Sequence, residues 1–183
     1  MRAVFRQAAR ALRDGGVIAY PTEAVYGLGC LPQFSEAVER IIRLKGRSPR
    51  AGFILIGESL AQLEPWIAPT DAERHQIQAP APLPTTWVVT AGPASGALLT
   101  GGRSTIAIRV TSHPIARTLC ATAGSALISS SANRHGRSPA RTALGVRSRF
   151  GGAIDVVVAG AVGLLAKPTV IREAATGNVL RRG

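Results

Sequence analysis

Residues 15–30 read GGVIAYPTEAVYGLGC, and the interpretation of this stretch decides the fold. Val17, Ile18, Ala19 and Tyr20 form a short apolar run that suits a buried strand. Thr22 and Glu23 then place a hydroxyl and a carboxylate at the strand's end, where α/β folds commonly present groups to a ligand. Tyr26-Gly27-Leu28-Gly29 follows as a glycine-rich exit, free to approach a ligand closely or to adopt positive φ. On these residues alone two readings stay open: a simple turn, or a strand that delivers its end to a ligand.

Upstream, Val4, Phe5, Ala8, Ala9 and Leu12 recur at helical spacing, and Gly15-Gly16 ends that helix. Downstream, Ser35 is placed to cap a second helix whose buried stripe is Val38, Ile41, Ile42 and Leu44, ending near Lys45-Gly46. Phe53 to Ile56 is a wholly apolar strand of the kind covered on both faces. Short helices are expected at 59–66 and 71–78 and a stiff proline loop at 79–84. Strands are expected at 86–90 and 105–110 with a glycine-rich loop between them. A helix from His113-Pro114, a strand at 126–129 and a helix at 142–150 follow. Strands near 154–158, 169–172 and 179–181 complete the chain. Helices and strands alternate first and strands then dominate, which predicts an α/β fold with a mixed sheet in a single domain, 1–183.

The bulk numbers fit that picture. A chain of 183 residues with 46% hydrophobic residues can bury a core without disulfides or metals. No run approaches the roughly 20 apolar residues of a membrane span. Two cysteines, Cys30 and Cys120, are too few for a disulfide framework or a zinc site and read as reduced small hydrophobes of a cytoplasmic protein. Twenty-two Lys and Arg against ten Asp and Glu give a formal charge of +12, which favours polyanionic partners: nucleic acid, nucleotides or other phosphorylated ligands. All but Lys45 and Lys167 of these cations are arginines, so a genome preference for arginine, with the side chains merely solvated, is the competing explanation.

Three further stretches carry candidate chemistry. In LKGRSPRAG (44–52), Lys45 and Arg47 suit a phosphate clamp, a point charge beside a bidentate fork; equally, two cations at a helix C-terminus complement its dipole. In SSSANRHG (129–136), serines and Asn133 can offer hydroxyls, an amide and backbone N–H groups to an anion, or form a capped polar turn. In STIAIRV, Thr105 and Arg109 are four apart and share one face of a strand. Arg109 lies in an otherwise apolar run, so its guanidinium needs an anionic partner, and the scarcity of acidic residues favours a ligand over an internal carboxylate. His75, His113 and His135 lack metal spacing, and His113 before Pro114 reads as organising a helix start. GxxxxGK[ST], GxGxxG and GxSxG are all absent.

Taken in order, GGVIAYPTEAVYGLGC, KGR, STIAIRVTSHP, SSSANRHG and KPTVIREAATGNVLRRG resemble the YrdC/TsaC family in its short bacterial form, the threonylcarbamoyl-AMP synthases of tRNA modification. The resemblance covers nearly the whole chain. It implies an open, twisted mixed sheet with flanking helices and a large basic concave cavity. It implies that L-threonine, bicarbonate and ATP are joined into threonylcarbamoyl-adenylate with release of pyrophosphate, ATP arriving with Mg2+. It further implies that transfer machinery passes the threonylcarbamoyl group to tRNAs reading ANN codons. By the same resemblance Lys45 and Arg47 are the catalytic cations. ATP would meet Lys45, Arg47, Thr105, Asn133 and Arg181, and threonine would meet Thr22, Arg109 and Ser131. No protein-bound metal site is expected. A carbamate is already an anionic nucleophile, so the later step needs charge neutralisation and alignment more than a base. Glu23 is a candidate acceptor of the amine proton.

The chain departs from the family pattern at several places. Leu83 and Thr85 stand where PGPVTW has glycine and valine. Ala24 and Ile56 replace a threonine and a histidine of longer relatives, Ala51 a polar ATP contact, and Pro168 a serine. The alternative function is a non-catalytic tRNA- or double-stranded-RNA-binding module using the +12 surface. A carbamoyl-adenylate reaction, as in related domains of hydrogenase-maturation carbamoyltransferases, is disfavoured because the zinc-finger and acylphosphatase-like segments are not in this sequence.

Overall fold

The structure is a computed structural model that describes residues 2–79, 81 and 83–183. In chain order the elements are α1 (Arg2–Arg13), β1 (Ile18–Pro21), β2 (Tyr26–Gly29), α2 (Ser35–Lys45), β3 (Ile54–Gly57), α3 (Asp71–Gln78), β4 (Thr85–Thr90) and α4 (Ala97–Thr100). They continue with β5 (Thr105–Val110), α5 (Pro114–Ala123), β6 (Leu127–Ser131), α6 (Ala143–Phe150), β7 (Val156–Val157), β8 (Val170–Glu173) and β9 (Val179–Arg181). The strands form one open, mixed sheet in the order β7-β1-β2-β6-β3-β5-β4-β8-β9, with β1–β7, β3–β5 and β4–β8 parallel and the other pairs antiparallel.

The opening stretch is a hairpin. β1 pairs antiparallel with β2, Ile18 opposite Gly29 and Pro21 opposite Tyr26, and Thr22 to Val25 make the turn. The expectation that YGLG is a loose, glycine-rich exit is therefore corrected: it is a strand, and neither Gly27 nor Gly29 has positive φ. Packing requires the glycine at 29 and leaves little room for a side chain at 27. A Cβ on Gly29 would meet Tyr20 Cε1 at 2.8 Å, and one on Gly27 would meet Thr22 Cγ2 at 3.3 Å. Tyr20 is fully buried across this gap and donates its hydroxyl proton to the Ile128 carbonyl at 3.0 Å. Aromatic cover over a strand glycine replaces the side chain the glycine lacks.

Alternation along the strands divides the core. Ile18 and Tyr20 face α1 and α5 in one apolar cluster, with Leu12, Ile56, Leu119 and Leu127. Ala19 faces the larger cluster on the other side, which contains Ile41, Leu55, Trp87, Ile108 and Phe150. On β5, Ile106 and Ile108 enter this larger core while Thr105, Ala107 and Arg109 face the opposite side, where a cavity opens.

Three local expectations also change. Ser35 is the first residue of α2; Phe34 occupies the cap position and no side chain caps the helix. Residues 59–66 form turns and a single 3-10 turn at Glu64–Trp66 in place of a helix, because Pro65 disrupts regular helix bonding. The glycine-rich loop before β5 contains the short helix α4, stopped by Gly101 at φ 68°. The expected proline loop includes positions 80 and 82, which lie outside the described residues.

Candidate active site

A cavity of about 650 Å³ lies over the sheet face carrying Thr105, Ala107 and Arg109. Its wall includes Lys45, Arg47, Arg103, Arg109 and Arg181, with Glu23 as its acidic member. Every sequence-predicted site residue lines it: Thr22, Lys45, Arg47, Thr105, Arg109, Ser131, Asn133 and Arg181. Ala24, Ala51 and Pro168 line it too, whereas Ile56 is fully buried in the core beside α5 and Leu83 stands exposed at a separate surface cavity.

One end is built by the last turn of α2 and the turn after β6. Lys45 is 5% exposed and donates to the carbonyls of Ser131 and Asn133, the latter at 2.9 Å, and to Asn133 Oδ1 at 3.3 Å. Ser131 Oγ donates to Asn133 Oδ1 at 2.6 Å, so Ser131 sits with the Lys45–Asn133 group. Gly46 at φ 59° stops the helix, and the chain turns to bring Arg47 alongside. Arg47 donates to Ser130 Oγ at 2.9 Å and to the Gly52 carbonyl at 2.7 Å, with its guanidinium 4.6 Å from the Phe53 ring centroid. Stacking and two fixed acceptors hold the fork in place. Burial, and then the adjacent Arg47 charge, push the Lys45 pKa down from 10.5 to about 8.

The other end is built around Arg109. Its guanidinium donates to Glu23 Oε2 at 3.2 Å, Thr86 Oγ1 at 3.1 Å and Thr169 Oγ1 at 3.3 Å. Its anionic partner in the structure is thus an internal carboxylate, the alternative that the scarcity of acidic residues had disfavoured. Glu23 Oε1 accepts from Thr111 Oγ1 at 2.6 Å and from Ser112 N at 3.2 Å. Burial works to raise the Glu23 pKa, but Arg109 and these donors outweigh it and the net shift is downward. A carboxylate so held is a weak base, which counts against Glu23 as acceptor of the amine proton. Thr22 commits its hydroxyl proton to the Val25 carbonyl at 2.7 Å and keeps only acceptor capacity toward the cavity. Arg181 donates to the Thr169 carbonyl at 3.0 Å; burial first, then the charge of Arg109, lower its pKa. His113 precedes α5 without capping it, its Nε2 lying 3.1 Å from the Ala161 carbonyl.

The family model described as Telomere recombination, covering Sua5, YciO and YrdC proteins, matches residues 10–183. This chain belongs to the Sua5/YciO/YrdC family. The threonylcarbamoyl-AMP synthase of Halorhodospira halophila is 50% identical over 178 residues, covering 97% of this chain and 93% of the relative. That of Nitrosococcus oceani is 49% identical over 177 residues, covering 96% of each. Among solved structures, Escherichia coli YciO superposes with a TM-score of 0.86 at 27% identity, covering 100% of this chain and 90% of that one. Pyrococcus abyssi Sua5 complexed with L-threonine superposes with a TM-score of 0.84 at 30% identity, over 92% of this chain. Only 50% of that Sua5 chain is covered, so this chain spans about half its length.

Within this Sua5/YciO/YrdC domain the cavity also uses residues that the sequence reading passed over. Arg103 donates to the carbonyls of Arg50 at 2.9 Å and Ala51 at 3.1 Å, bracing the loop that carries Arg47. Thr86 and Thr169 share a hydrogen bond of 2.8 Å and together hold one side of Arg109. Thr86 shares a strand face with Val88 but lies across from Arg109 only through the β4–β5 pairing, which the sequence does not display, and Arg103 sits in a glycine-rich loop without a motif.

Proposed function

We propose that this protein is a threonylcarbamoyl-AMP synthase, joining L-threonine, bicarbonate and ATP into threonylcarbamoyl-adenylate and releasing pyrophosphate. The observation that carries the reading is the near-full-length match to proteins of that name at 50% identity. The cavity is consistent with it: Lys45, Arg47 and Asn133, which suit phosphates, line one end, and Arg109, held by Thr86 and Thr169, lines the other. Threonine's amine condenses with bicarbonate to a carbamate and water. A carbamate oxygen then attacks the α-phosphorus, the bond to the β-phosphate oxygen breaks, and pyrophosphate leaves.

The chain's residues supply charge and alignment to that step. Lys45 and Arg47 neutralise the triphosphate and the charge that grows on the leaving pyrophosphate, with Asn133 and Thr105 beside them. Arg109 takes the threonine carboxylate with Thr22 beside it, Ser131 meets the threonine from the Lys45–Asn133 end to which its hydroxyl is bonded, and Arg181 adds charge where the two substrates meet. The walls limit water around a labile mixed anhydride.

The donor set does not suit a resident Mg2+: Glu23 is the acidic wall residue with both oxygens engaged, and among the described residues no group of three His, Cys, Asp or Glu could hold a metal. In this reading Mg2+ enters on the triphosphate as part of the substrate.

The product is handed to the tRNA threonylcarbamoyl transfer machinery in the cytoplasm. The +12 charge supports direct tRNA contact as well, which would show a steep salt slope. The test of the main reading is pyrophosphate release with each substrate omitted in turn. Release is expected only with threonine, bicarbonate and ATP together, and to vanish in Lys45→Ala/Arg47→Ala. Tight tRNA binding without turnover would replace this reading with the RNA-binding one.

A further inference from the structure

Glu23 stands apart from the rest of the cavity wall because three of the roughly four acceptor positions of its carboxylate are already taken by the protein itself. Both carboxylate oxygens are occupied, by Arg109 on one side and by Thr111 Oγ1 and Ser112 N on the other. Its backbone is fixed as well. The carbonyl of Glu23 accepts from Leu165 N at 3.1 Å and that of Thr22 from Gly163 N at 2.9 Å, so the segment before β8 straps the hairpin turn down. The Glu23 and Arg109 side chains are each 6% exposed, and the residues are 86 positions apart in sequence.

Such a pair is an expensive way to hold a fold together. Desolvating two charges offsets most of their attraction, and Arg109 Nε remains buried without an acceptor. Its physical effect is geometric. With Thr86 and Thr169 on NH1 and Glu23 on NH2, the guanidinium is pinned from two sides in the plane it needs to meet a planar anion. Without Glu23 it would be a buried, unpaired charge free to turn toward other acceptors.

We propose that Glu23 is the positioning residue for the amino-acid end of the site: it fixes Arg109 where that arginine takes the carboxylate of threonine, and it does not accept the amine proton. This rests on the synthase reading and on Arg109 as the carboxylate partner. Glu23 acts through Arg109, so removing its charge weakens threonine binding while the steps after binding proceed.

The experiment measures pyrophosphate release by wild type, Glu23→Gln, Arg109→Lys and the double variant, varying threonine at saturating ATP and then ATP at saturating threonine. Glu23→Gln is expected to raise the threonine KM by ~10–100-fold, with kcat reduced less than about 5-fold and the ATP KM within about 2-fold of wild type. The double variant is expected to be within about 2-fold of Arg109→Lys alone, because both changes disable one device. A fall in kcat of ~10²–10⁴ at unchanged threonine KM identifies Glu23 as a proton acceptor and overturns the proposal. Losses that multiply in the double variant overturn it too. If Glu23→Gln is recovered unfolded, Glu23→Asp keeps the charge at shorter reach, and the same division between KM and kcat decides. A wild type that releases no pyrophosphate removes the synthase reading itself, an outcome distinct from a normal wild type with a kcat-impaired variant.

Discussion

Lys45 Nζ lies 2.9 Å from the main-chain oxygen of Asn133, joining the end of α2 to the turn after β6. The junction is double, because the Lys45 carbonyl accepts from His135 N at 2.7 Å. Asn133→Ala deletes the side-chain oxygen that Ser131 Oγ and Lys45 share. The expected result is an ATP KM raised by ~10-fold, about 1.4 kcal/mol, with the threonine KM near wild type. Steady-state pyrophosphate release with each substrate varied measures it, and a change confined to threonine would contradict the assignment of this end to phosphates.

The depressed pKa of Lys45 sets a pH window. Burial, followed by Arg47, lowers it from 10.5 to about 8, so the ammonium is fully present only below that pH. A triphosphate needs the ammonium; ATP affinity is therefore strongest below pH 8 and falls as pH rises through it. Folding has the opposite slope, since between about pH 8 and 10.5 the unfolded chain holds a proton the native site has lost, and the penalty of burying the ammonium is relieved as pH rises. Calorimetric titration of ATP from about pH 7 to 9.5 should show the decline in wild type and a flatter profile in Lys45→Arg, whose guanidinium does not titrate in this range.

Arg47 is held by geometry that lysine cannot copy: one nitrogen on Ser130 Oγ, another on the Gly52 carbonyl, and a flat face 4.6 Å from Phe53. Arg47→Lys keeps the charge and loses the fork and the stacking. A drop of ~10–100-fold in kcat/KM for ATP is expected, with melting temperature little changed. Equal activity in Arg47→Lys would mean that charge alone suffices there.

Much of this site was legible before folding because its cations are anomalous where they stand: Lys45 at the end of an apolar helix stripe, Arg109 inside an apolar strand. Their partners were not. Glu23 and Arg109 are 86 residues apart, and only the topology, which places the β1–β2 turn near the end of β5, brings them together. Tyr26-Gly27-Leu28-Gly29 failed as a strand for a different reason. Two glycines in four residues lower local strand preference, and the compensation comes from Tyr20 and Ile128, tertiary neighbours that propensity does not contain. Thr22 and Ser131 were recognised as cavity residues, yet their hydroxyl protons go to Val25 and Asn133, a distribution only the folded turns define.

Glu73 provides a test of the scaffold away from the cavity. It closes a capping box with Thr70 at the start of α3 and also accepts from Thr90 N at 3.0 Å and Thr90 Oγ1, tying the helix to β4. Burial acts to raise its pKa, but the Thr70 and Thr90 donors prevail and lower it below 4.5. A depressed carboxylate stabilises the fold above its unfolded pKa, and that contribution is lost as pH falls through the native value. Glu73→Ala should cost about 2 kcal/mol in urea unfolding at neutral pH and reduce the slope of acid destabilisation below about pH 4.5, with both substrate KM values unchanged.

The strap over the hairpin turn has no spare room at Gly163. A Cβ there would stand 2.6 Å from the carbonyl oxygen of Glu23 and 3.0 Å from its Cα, and both are backbone atoms that cannot swing aside. One added methyl must therefore displace either the strap or the turn bearing Glu23, breaking the bonds from Gly163 N to Thr22 O and from Leu165 N to Glu23 O. Gly163→Ala is expected to destabilise by ~1–3 kcal/mol, the usual range for overpacking. If the turn moves, Glu23 moves with it and Arg109 loses its fixed plane, so the threonine KM should rise while the ATP KM stays near wild type. Gly152→Ala is the control, because a Cβ there meets nothing within 4 Å and the residue has no positive φ. Thermal melts and substrate KM values of the two variants separate the cases. A Gly163→Ala protein that melts and binds threonine like Gly152→Ala would mean that the strap yields freely and does not hold Glu23 in place.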